Sequence, residues 1–296
     1  MKKYDFVKDG FKSLPGFFDS DKTIELMNSA LATRDLSDIF LSQEAFLSEQ
    51  KHTMVNPRPG RNLIEKLETN FIFSNEKFQQ EMKKTCGEKW RILDYKFVMG
   101  VPDKYLPQWL KIELDDRLVA NLGAYVKEEY RDITYFRGID FHQDIIDFPE
   151  RDSDFITVYI YLDDVGENSS PLYILPGSHA LGVSTFPHSL TRQENNQYTY
   201  QNDYLDSKLC DLLKLTGLAG TMSYWHCNTL HGTQPHIDDK PRISVRILVE
   251  KNAKSNTGCE IDLANEVSTG SLSLSTTRED LNETGKAVKK GNIINQ

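Results

Sequence analysis

The sequence predicts a mainly β protein with flanking α-helices, built as an antiparallel sandwich or barrel. From about residue 90 onward, short runs rich in β-branched and aromatic residues alternate with clusters of Gly, Pro, Asp and Asn, which is typical of such folds. Before residue 90, apolar residues recur at helical spacing instead. The β-like runs are WRILDYKFVMGV, KIELDDRLVANLGAYVKEEY, DITYFRGIDFHQD, FITVYIYLDD, PLYILPGSH, AGTMSYW and RISVRILVE.

The first third of the chain is predicted to be mainly helical. The polar residues 19–21 are suitable N-caps for the segment TIELMNSALATR, in which Ile24, Met27 and Leu31 fall at helical spacing. Two further segments, RNLIEKLETNFIF and NEKFQQEMKKTC, show the same spacing with mixed charges. We expect these helices to pack outside the β structure and brace it.

The domain organisation follows from changes in composition along the chain. Residues 1–252 are predicted to form one domain, with the β core at about 90–252. Within it, residues 189–215 are polar and then locally helical, which suggests an inserted loop near the mouth of the barrel. Residues 253–296 contain few large apolar side chains and are predicted to form a polar tail, with a lid over the site as the alternative.

Composition limits the class of protein. The 296 residues carry a formal net charge of −9, which disfavours a polyanionic partner such as nucleic acid. The four cysteines are scattered and form no CxxC pair, as expected for a reduced cytoplasmic protein. The N-terminus lacks the apolar segment of a signal peptide, and no stretch of 18 apolar residues predicts a membrane span.

The clearest chemical signal is the sequence Phe141-His142-Gln143-Asp144. On a strand, residues two apart project from the same face, so His142 and Asp144 could hold one metal ion together. Two histidines and one carboxylate leave three coordination positions open, which is the arrangement of non-haem Fe(II) oxygenases. Because HxD tripeptides are common, a third ligand is needed from a distant strand.

Two of the seven histidines could supply that third ligand, since His226 and His231 both lie near the strand-like run after Gly220. Arg242 opens the last predicted strand, 11 residues after His231, and Ser244 follows two residues later. A buried Arg at this place suits the far carboxylate of a keto diacid, because its planar guanidinium binds carboxylate with two hydrogen bonds.

Several motifs in order resemble the phytanoyl-CoA dioxygenase family. They are KDGFKSLPGFFDSDKTIELM near the N-terminus, HQD followed by FP at 142–149, LDDVGENSSPLYILPGSHALG, and the closing GTMSYWHCNTLHGT with PRISVR. The resemblance covers most of residues 8–250. It implies a double-stranded β-helix, a jelly-roll or cupin-like barrel with the metal in its mouth. The family's usual Asn-Gly turn is here Asn168-Ser169-Ser170-Pro171, a difference that does not touch the chemistry.

The resemblance also implies the metal ligands and cofactors. His142 and Asp144 match the first two iron ligands, and His231 matches the third. The implied cofactor is Fe(II), with 2-oxoglutarate and O₂ as co-substrates. Halogenating relatives have a small residue in place of this carboxylate, so the presence of Asp144 predicts hydroxylation or another oxidation.

Five residues are predicted to contact the co-substrate. Arg242 matches the arginine that binds the far carboxylate of 2-oxoglutarate, and Thr233 stands where the family often has a serine contacting the same group. Ser244 completes an RxS pattern. Gln143 and Lys127 occupy positions that can touch the co-substrate in relatives, although the assignment of Lys127 rests on spacing alone.

The remaining histidines are interpreted as non-ligands. His226 matches a packing or supporting position, and His179 is expected to be a turn residue that supports the sheet. His188 and His236 lie in polar loops and are expected to be on the solvated surface.

Four other side chains are assigned alternatives. Arg246 competes with Arg242 for the keto acid, and could instead serve an anionic substrate or an ion pair. Tyr159 and Tyr161 could line the pocket or pack in the barrel, and Trp225 is expected to be a core residue, with a substrate platform as the alternative.

The predicted function is an Fe(II)- and 2-oxoglutarate-dependent dioxygenase that hydroxylates, or otherwise oxidises, a small-molecule metabolite and releases succinate and CO₂. Two alternatives are a metal-binding jelly-roll isomerase or hydrolase, and an inactive binding relative. The first would have no use for Arg242, and the second would be expected to have lost part of the metal or keto-acid site. No pattern indicates an oligomeric state.

Overall fold

A computed structural model of the chain describes residues 4–49, 62–115, 117–148, 153–252, 279–280, 288–289, 291 and 294. Most of its helices precede the main β region. The α-helices of these residues are α1 Phe6–Asp9, α2 Ser20–Leu31, α3 Gln43–Glu49, α4 Asn70–Phe73, α5 Glu76–Cys86 and α6 Gln108–Glu113. Short 3₁₀ turns occur at Leu63–Lys66, Asp103–Tyr105, Gly123–Tyr125, Glu128–Tyr130, Asp144–Asp147 and Ser178–Leu181.

The strands form one curled ten-stranded sheet and a smaller three-stranded sheet. The large sheet has the order β1-β11-β5-β13-β2-β4-β12-β6-β10, with β3 added beside β4, and the small sheet has the order β7-β8-β9. All pairs in the large sheet are antiparallel except β2 with β4. The strands are β1 Phe11–Leu14, β2 Arg91–Gly100, β3 Val119–Asn121, β4 Thr134–His142, β5 Phe155–Tyr161, β6 Leu172–Ile174, β7 Ser189–Arg192, β8 Gln197–Gln201, β9 Ser207–Asp211, β10 Leu213–Leu215, β11 Met222–His226, β12 His231–Thr233 and β13 Arg242–Glu250.

The two faces of the large sheet have different partners. On β13, Ile243, Val245 and Ile247 belong to the hydrophobic core shared with the N-terminal helices. Because successive side chains of a strand point to opposite faces, Arg242 and Arg246 on the same strand face the interior of the curled sheet. The helices therefore cover one face, and the inner face carries both a second hydrophobic cluster and the buried polar side chains. This is the predicted jelly-roll architecture.

Helix α2 shows how the N-terminal segment is attached. The side chain of Asp19 caps the helix by accepting hydrogen bonds from the backbone N–H groups of residues 21 and 22. Leu26 and Met27 are buried in the core against the sheet. The predicted helix is confirmed, but its buried face differs from the predicted one. Leu26 and Met27 are buried, whereas Ile24 and Leu31 are only partly buried.

Three sequence-based assignments of secondary structure need correction. Residues 62–73 form a 3₁₀ turn and one short helical turn instead of a continuous helix. Residues 111–130 contain only the three-residue strand β3 and short helical turns. Residues 189–215 contain no helix, but form β7, β8, β9 and β10. In β8, Tyr198 and Tyr200 are buried and alternate with less buried polar residues, which is a strand pattern. The polar composition of the segment made this pattern hard to recognise in the sequence.

Most of the predicted tail at 253–296 lies outside the described residues. Of those described, Asp280 and Ile294 are buried. The backbone N–H of Ile294 donates to Asp140 and its carbonyl accepts from Gln234. These contacts place Ile294 beside β4 and β12. Among the described helices, none has the length and apolar character required to cross a membrane.

Candidate metal centre

Three side chains that the sequence singled out for a metal meet at one end of the barrel. His142 ends β4, and His231 begins β12 directly opposite it in the antiparallel register. Asp144 begins the 3₁₀ turn Asp144–Asp147, so it approaches from a bend and not, as predicted, from a continuing strand. One ligand atom of each residue lies within 4.8 Å of the others. The three donors are thus brought together by strand pairing and a turn.

Both histidines are held in the same orientation by backbone carbonyls. Nδ1 of His142 lies 3.0 Å from the carbonyl oxygen of Asp140, and Nδ1 of His231 lies 3.0 Å from that of Thr229. A ring nitrogen this close to a carbonyl must carry the proton, so the lone pair is on Nε2. Hydrogen bonding of the far ring nitrogen is the usual way in which proteins orient metal-binding histidines. Each imidazole therefore presents Nε2 to the centre.

The carboxylate of Asp144 is oriented in a similar way. Its Oδ2 accepts a hydrogen bond of 2.6 Å from Oγ1 of Thr157 and one of 2.9 Å from Nε1 of Trp225. Its Oδ1 lies 3.5 Å from Nε2 of His231. One oxygen is thus occupied by protein donors, and the other faces the histidines.

The electrostatic surroundings keep Asp144 ionised. Burial alone would raise the pKa of this carboxyl, but His231, His142 and Arg246 outweigh burial and hold the pKa well below its usual range. A buried carboxylate with two imidazoles is a donor set that suits a divalent transition metal.

Trp225 and Thr157 are functional residues that the sequence analysis missed. Trp225 was predicted to be a core residue, and it is fully buried, but its indole N–H also positions Asp144. A usable signal existed, because a buried tryptophan needs a hydrogen-bond partner for its N–H. For Thr157, in the middle of an apolar strand, the only signal was a polar residue on the inward face.

The predicted keto-acid residues line the interior beside this centre. Arg242 is 4% exposed and pairs in register with Gly100 on β2. Its Nη1 donates to the carbonyl of Ser170, while its Nε and the hydroxyl of Ser244 have no protein partner. Thr233 accepts a hydrogen bond from the backbone N–H of Ile139 through its Oγ1, at 3.2 Å. Buried donors without partners are costly, so Arg242 and Ser244 fit a site for a carboxylate ligand.

His236 is a further residue at this site, and its predicted surface position is wrong. It is 6% exposed, and neither ring nitrogen has a hydrogen-bond partner. Burial, reinforced by the charge of Arg242, lowers the pKa of His236 to about 3, so the ring is neutral. A β-carbon on Gly100 would lie 2.5 Å from Nε2 of His236 and 3.7 Å from Nη2 of Arg242. The absence of a side chain at Gly100 thus leaves room for both.

Gln143 and Lys127, which are predicted to contact the co-substrate, both have protein partners. Nε2 of Gln143 donates to the carbonyls of Gly182 at 2.7 Å and Asn228 at 2.9 Å, and its Oε1 accepts from the N–H of Ser184 at 3.1 Å. The amide is therefore occupied in tying loops together.

Lys127 forms an ion pair of 2.7 Å with Asp38, whose side chain is largely exposed. The backbone N–H of Lys127 donates a hydrogen bond to the carbonyl of Ile39, in the segment that follows α2. The co-substrate role of Lys127 stays a prediction.

The other histidines also have structural partners. Nδ1 of His226 accepts a hydrogen bond of 3.2 Å from the N–H of Asn228, in the turn before His231. The cluster therefore contains His231 and excludes His226, which resolves the alternative left open by spacing. His188, predicted to be on the surface, is 9% exposed, and its Nδ1 contacts the hydroxyl of Ser184 at 2.8 Å.

Fold and site together define a jelly-roll barrel with a buried His-Asp-His cluster at its mouth. Residues 133–244 match the model of the phytanoyl-CoA dioxygenase (PhyH) family. This matched segment contains the three candidate ligands and Arg242. The match agrees with the resemblance predicted from the sequence.

Two curated relatives support this placement. The chain is 31% identical over 106 residues to a probable alpha-ketoglutarate-dependent hypophosphite dioxygenase of Stutzerimonas stutzeri, over 33% of this chain and 34% of the relative. It is 29% identical over 106 residues to an ectoine dioxygenase of Bordetella bronchiseptica, with the same coverage. The match thus spans about a third of the length of each relative.

Solved structures show the same fold. The complex of the epimerase SnoN with Fe³⁺, alpha ketoglutarate and nogalamycin RO has a TM-score of 0.50 and 15% identity, over 97% of this chain and 91% of that chain. Another structure of SnoN, a non-haem alpha ketoglutarate-dependent epimerase from nogalamycin biosynthesis, also has a TM-score of 0.50 and 15% identity, over 83% of this chain and 78% of that one. At this identity, the similarity concerns the fold alone.

Proposed function

We propose that this protein is an Fe(II)- and 2-oxoglutarate-dependent dioxygenase that hydroxylates, or otherwise oxidises, a small-molecule metabolite and releases succinate and CO₂. The observation that carries the proposal is the convergence of His142, Asp144 and His231 within 4.8 Å beside the buried, partly unpartnered Arg242. The match of residues 133–244 to an oxygenase family supports the same conclusion.

We assign the three convergent residues as iron ligands. Nε2 of each histidine and Oδ1 of Asp144 would bind one side of the ion, leaving the opposite side for co-substrate and O₂. Bound iron supplies the activation of O₂ that oxidises the substrate. The protein fixes the donors beforehand through the carbonyls behind both imidazoles and through Thr157 and Trp225 behind the carboxylate.

Arg242 is assigned to the far carboxylate of 2-oxoglutarate. Its guanidinium is held by Ser170, and its Nε remains available to a ligand. The hydroxyl of Ser244 faces the same interior, and the neutral ring of His236 lies beside Gly100. Thr233, whose hydroxyl retains its donor, would complete the pocket. These groups would orient the co-substrate and exclude water from its far end.

We further propose that the substrate is a small molecule and that the protein acts in the cytoplasm. The relatives are named for hypophosphite and ectoine, which are both small compounds. The described cysteines Cys86, Cys210 and Cys227 are free thiols, as expected in a reducing compartment. The presence of Asp144 as a ligand favours hydroxylation over halogenation.

We also propose that residues 1–252 form a single oxygenase domain and that 253–296 are an appendage to it. The contacts of Ile294 with Asp140 and Gln234 suggest that the end of this appendage is attached to the barrel wall.

The test is an anaerobic titration of the metal-free protein with Fe(II) and then 2-oxoglutarate, followed by visible absorbance. A weak charge-transfer band is expected in the wild type and should be absent in His231→Ala. His226→Ala is a matched control, because it removes a histidine five residues away that lies outside the cluster, and it should keep the band. If metal bound without a band, a non-oxygenase metalloprotein would replace this proposal.

A further inference from the structure

The interior of the barrel carries a second group of charges, which the metal and keto-acid contacts do not use. Lys96 on β2 pairs in register with Arg246 on β13, and Arg246 pairs with Tyr159 on β5. Arg246 is on the same face of β13 as Arg242, because the two are four residues apart. Asp94 lies two residues before Lys96 on that face. We call Asp94, Lys96 and Arg246 the interior charge row.

One carboxylate oxygen serves both cations of this row. Oδ2 of Asp94 lies 2.9 Å from Nη2 of Arg246 and 3.2 Å from Nζ of Lys96. Nζ of Lys96 makes no directed hydrogen bond, and Nε of Arg246 has no partner. Lys96 is only 1% exposed. Burial of cationic donors without full pairing is costly, so these two donors are suited to binding another acceptor.

The charges of the row do not balance. Iron(II) and Arg242 would together neutralise Asp144 and the two carboxylates of 2-oxoglutarate, and so leave nothing to compensate the row. Within the row, Lys96 and Arg246 share a single carboxylate, that of Asp94, so the row itself carries one positive charge in excess. Asp147 also acts on Lys96, but it is exposed, so water screens much of its charge. Burial lowers the pKa of Lys96 only to about 8, which leaves it mainly charged at neutral pH.

The interior charge row lies close to the metal centre. The ring of Tyr159, the cross-strand neighbour of Arg246, packs on Trp225 with centroids 5.2 Å apart. Trp225 in turn donates to Asp144 and lies 4.8 Å from the ring of His231. Two side chains, Tyr159 and Trp225, thus connect Arg246 to the proposed iron ligands, and the charge of Arg246 also acts on Asp144. A small molecule held at the row would be within reach of the reacting centre.

We propose that Lys96 and Arg246 bind the anionic group of the substrate, so that the substrate is a small metabolite carrying a carboxylate or another oxyanion. This inference rests on the proposed function and specifies its substrate class. Arg246 would supply its Nε–H and Lys96 an N–H of its ammonium group, while Asp94 holds both cations in place. Tyr159, which is 8% exposed and lies between the row and Trp225, would border the bound molecule.

The test measures anion binding to the anaerobic Fe(II)–2-oxoglutarate complex by the change in its charge-transfer band. Butyrate, methylphosphonate and phosphite serve as probes, and butyramide is the neutral control. We expect at least one anion to perturb the band and butyramide to leave it unchanged. A response to butyrate alone would identify a carboxylate substrate, and a response to the phosphorus anions alone would identify a tetrahedral oxyanion.

Variants then test the assigned residues. Arg246→Gln and Lys96→Gln should each weaken anion binding by about tenfold or more, because a hydrogen bond to a charged group is lost, and 2-oxoglutarate affinity should be retained. Asp94→Asn should keep or strengthen anion binding, since it removes the competing carboxylate, whereas a purely structural row would be damaged by it. Arg246→Lys keeps the charge and serves as the conservative variant should Arg246→Gln unfold.

Three outcomes would overturn the inference: no response to any anion, unchanged anion affinity in the variants, or an equal loss of 2-oxoglutarate affinity. The last would assign the row to the co-substrate. If the wild type gave no band at all, the proposed function would fail. Calorimetric titration of the same anions into the metal-free protein would then still test the row, with weaker binding expected in Arg246→Gln and equal binding counting against it.

Discussion

Trp225 donates a hydrogen bond of 2.9 Å from its indole N–H to Oδ2 of Asp144, and the two residues are brought together from β11 and from the turn after β4. The same ring contacts His231 at a centroid distance of 4.8 Å. One side chain of the barrel core thus supports two of the three proposed ligands. The Trp225 ring therefore belongs to both the core and the site. We expect a substitution of this ring to weaken metal binding before it affects the fold.

Trp225→Phe is expected to weaken Fe(II) binding by about 10- to 100-fold, which is typical when a hydrogen bond behind a ligand is removed. The carboxylate of Asp144 would keep its hydrogen bond from Thr157 but lose the one from the indole N–H, which helps to orient it. Equilibrium dialysis with Fe(II) under argon measures the affinity. Trp90→Phe is the matched control, because Trp90 packs against the helical core away from the cluster. Equal Fe(II) affinity in both variants would contradict the assignment.

Arg242→Gln is expected to raise the dissociation constant of 2-oxoglutarate by about tenfold or more and to leave Fe(II) affinity unchanged, because a charged hydrogen bond to the far carboxylate is lost. The amplitude of the charge-transfer band as 2-oxoglutarate is added gives the constant. Arg137→Gln removes an arginine that is paired with Asp103 instead, and should behave as the wild type. Loss of metal binding in Arg242→Gln would show that Arg242 has a structural role.

Gly100→Ala is expected to weaken 2-oxoglutarate binding, with a smaller effect on the fold. The added methyl group would lie 2.5 Å from Nε2 of His236 and 3.7 Å from Nη2 of Arg242, so the His236 ring must shift next to Arg242. Gly166→Ala is the control, since its added methyl group would meet nothing nearer than 3.7 Å. Isothermal titration of 2-oxoglutarate into the Zn(II)-loaded proteins compares the two. Wild-type affinity in Gly100→Ala would exclude His236 from the pocket.

The stability of the metal-free protein is expected to fall as the pH is lowered below about 6.5, the ordinary pKa of histidine. Burial lowers the pKa of His226 to about 4 and that of His236 to about 3. Between these values and 6.5 the unfolded chain binds more protons than the folded one, so acid favours unfolding. Each histidine contributes a slope of up to about 1.4 kcal/mol per pH unit.

Urea unfolding from pH 7 to pH 5 measures this slope. His236→Gln should flatten the dependence, because it removes one group that protonates only on unfolding. Gln is neutral at every pH in this range, so loss of the ring changes the free energy of unfolding by the same amount at each pH. Only the slope of the free energy against pH then reports the titration of His236. A slope identical to that of the wild type would show that His236 is accessible to protons in the folded protein.

Much of the fold could be predicted from local patterns. The strands that carry the site are encoded by dense β-branched and aromatic runs, and α2 by its cap and its apolar spacing, so each is visible in its own segment. The small sheet β7-β8-β9 was missed because only one of its faces is buried, and the rest of its sequence has the polar composition of a loop. The segment at 62–73 was overpredicted because helical spacing alone does not supply the packing that holds a helix together.

By itself the sequence determined the residue types and the order of the site: a His-x-Asp pair, a later histidine and an arginine 11 residues beyond it. Tertiary structure alone decided between His226 and His231, since only strand pairing places one of them opposite His142. It also decided the burial of His236 and the hydrogen bonds of Gln143. Only the pairing of β2 with β13 places Lys96 opposite Arg246, 150 residues later in the sequence. The physical reason is that burial and hydrogen-bond partners depend on which distant segments pack together, which short-range spacing does not specify.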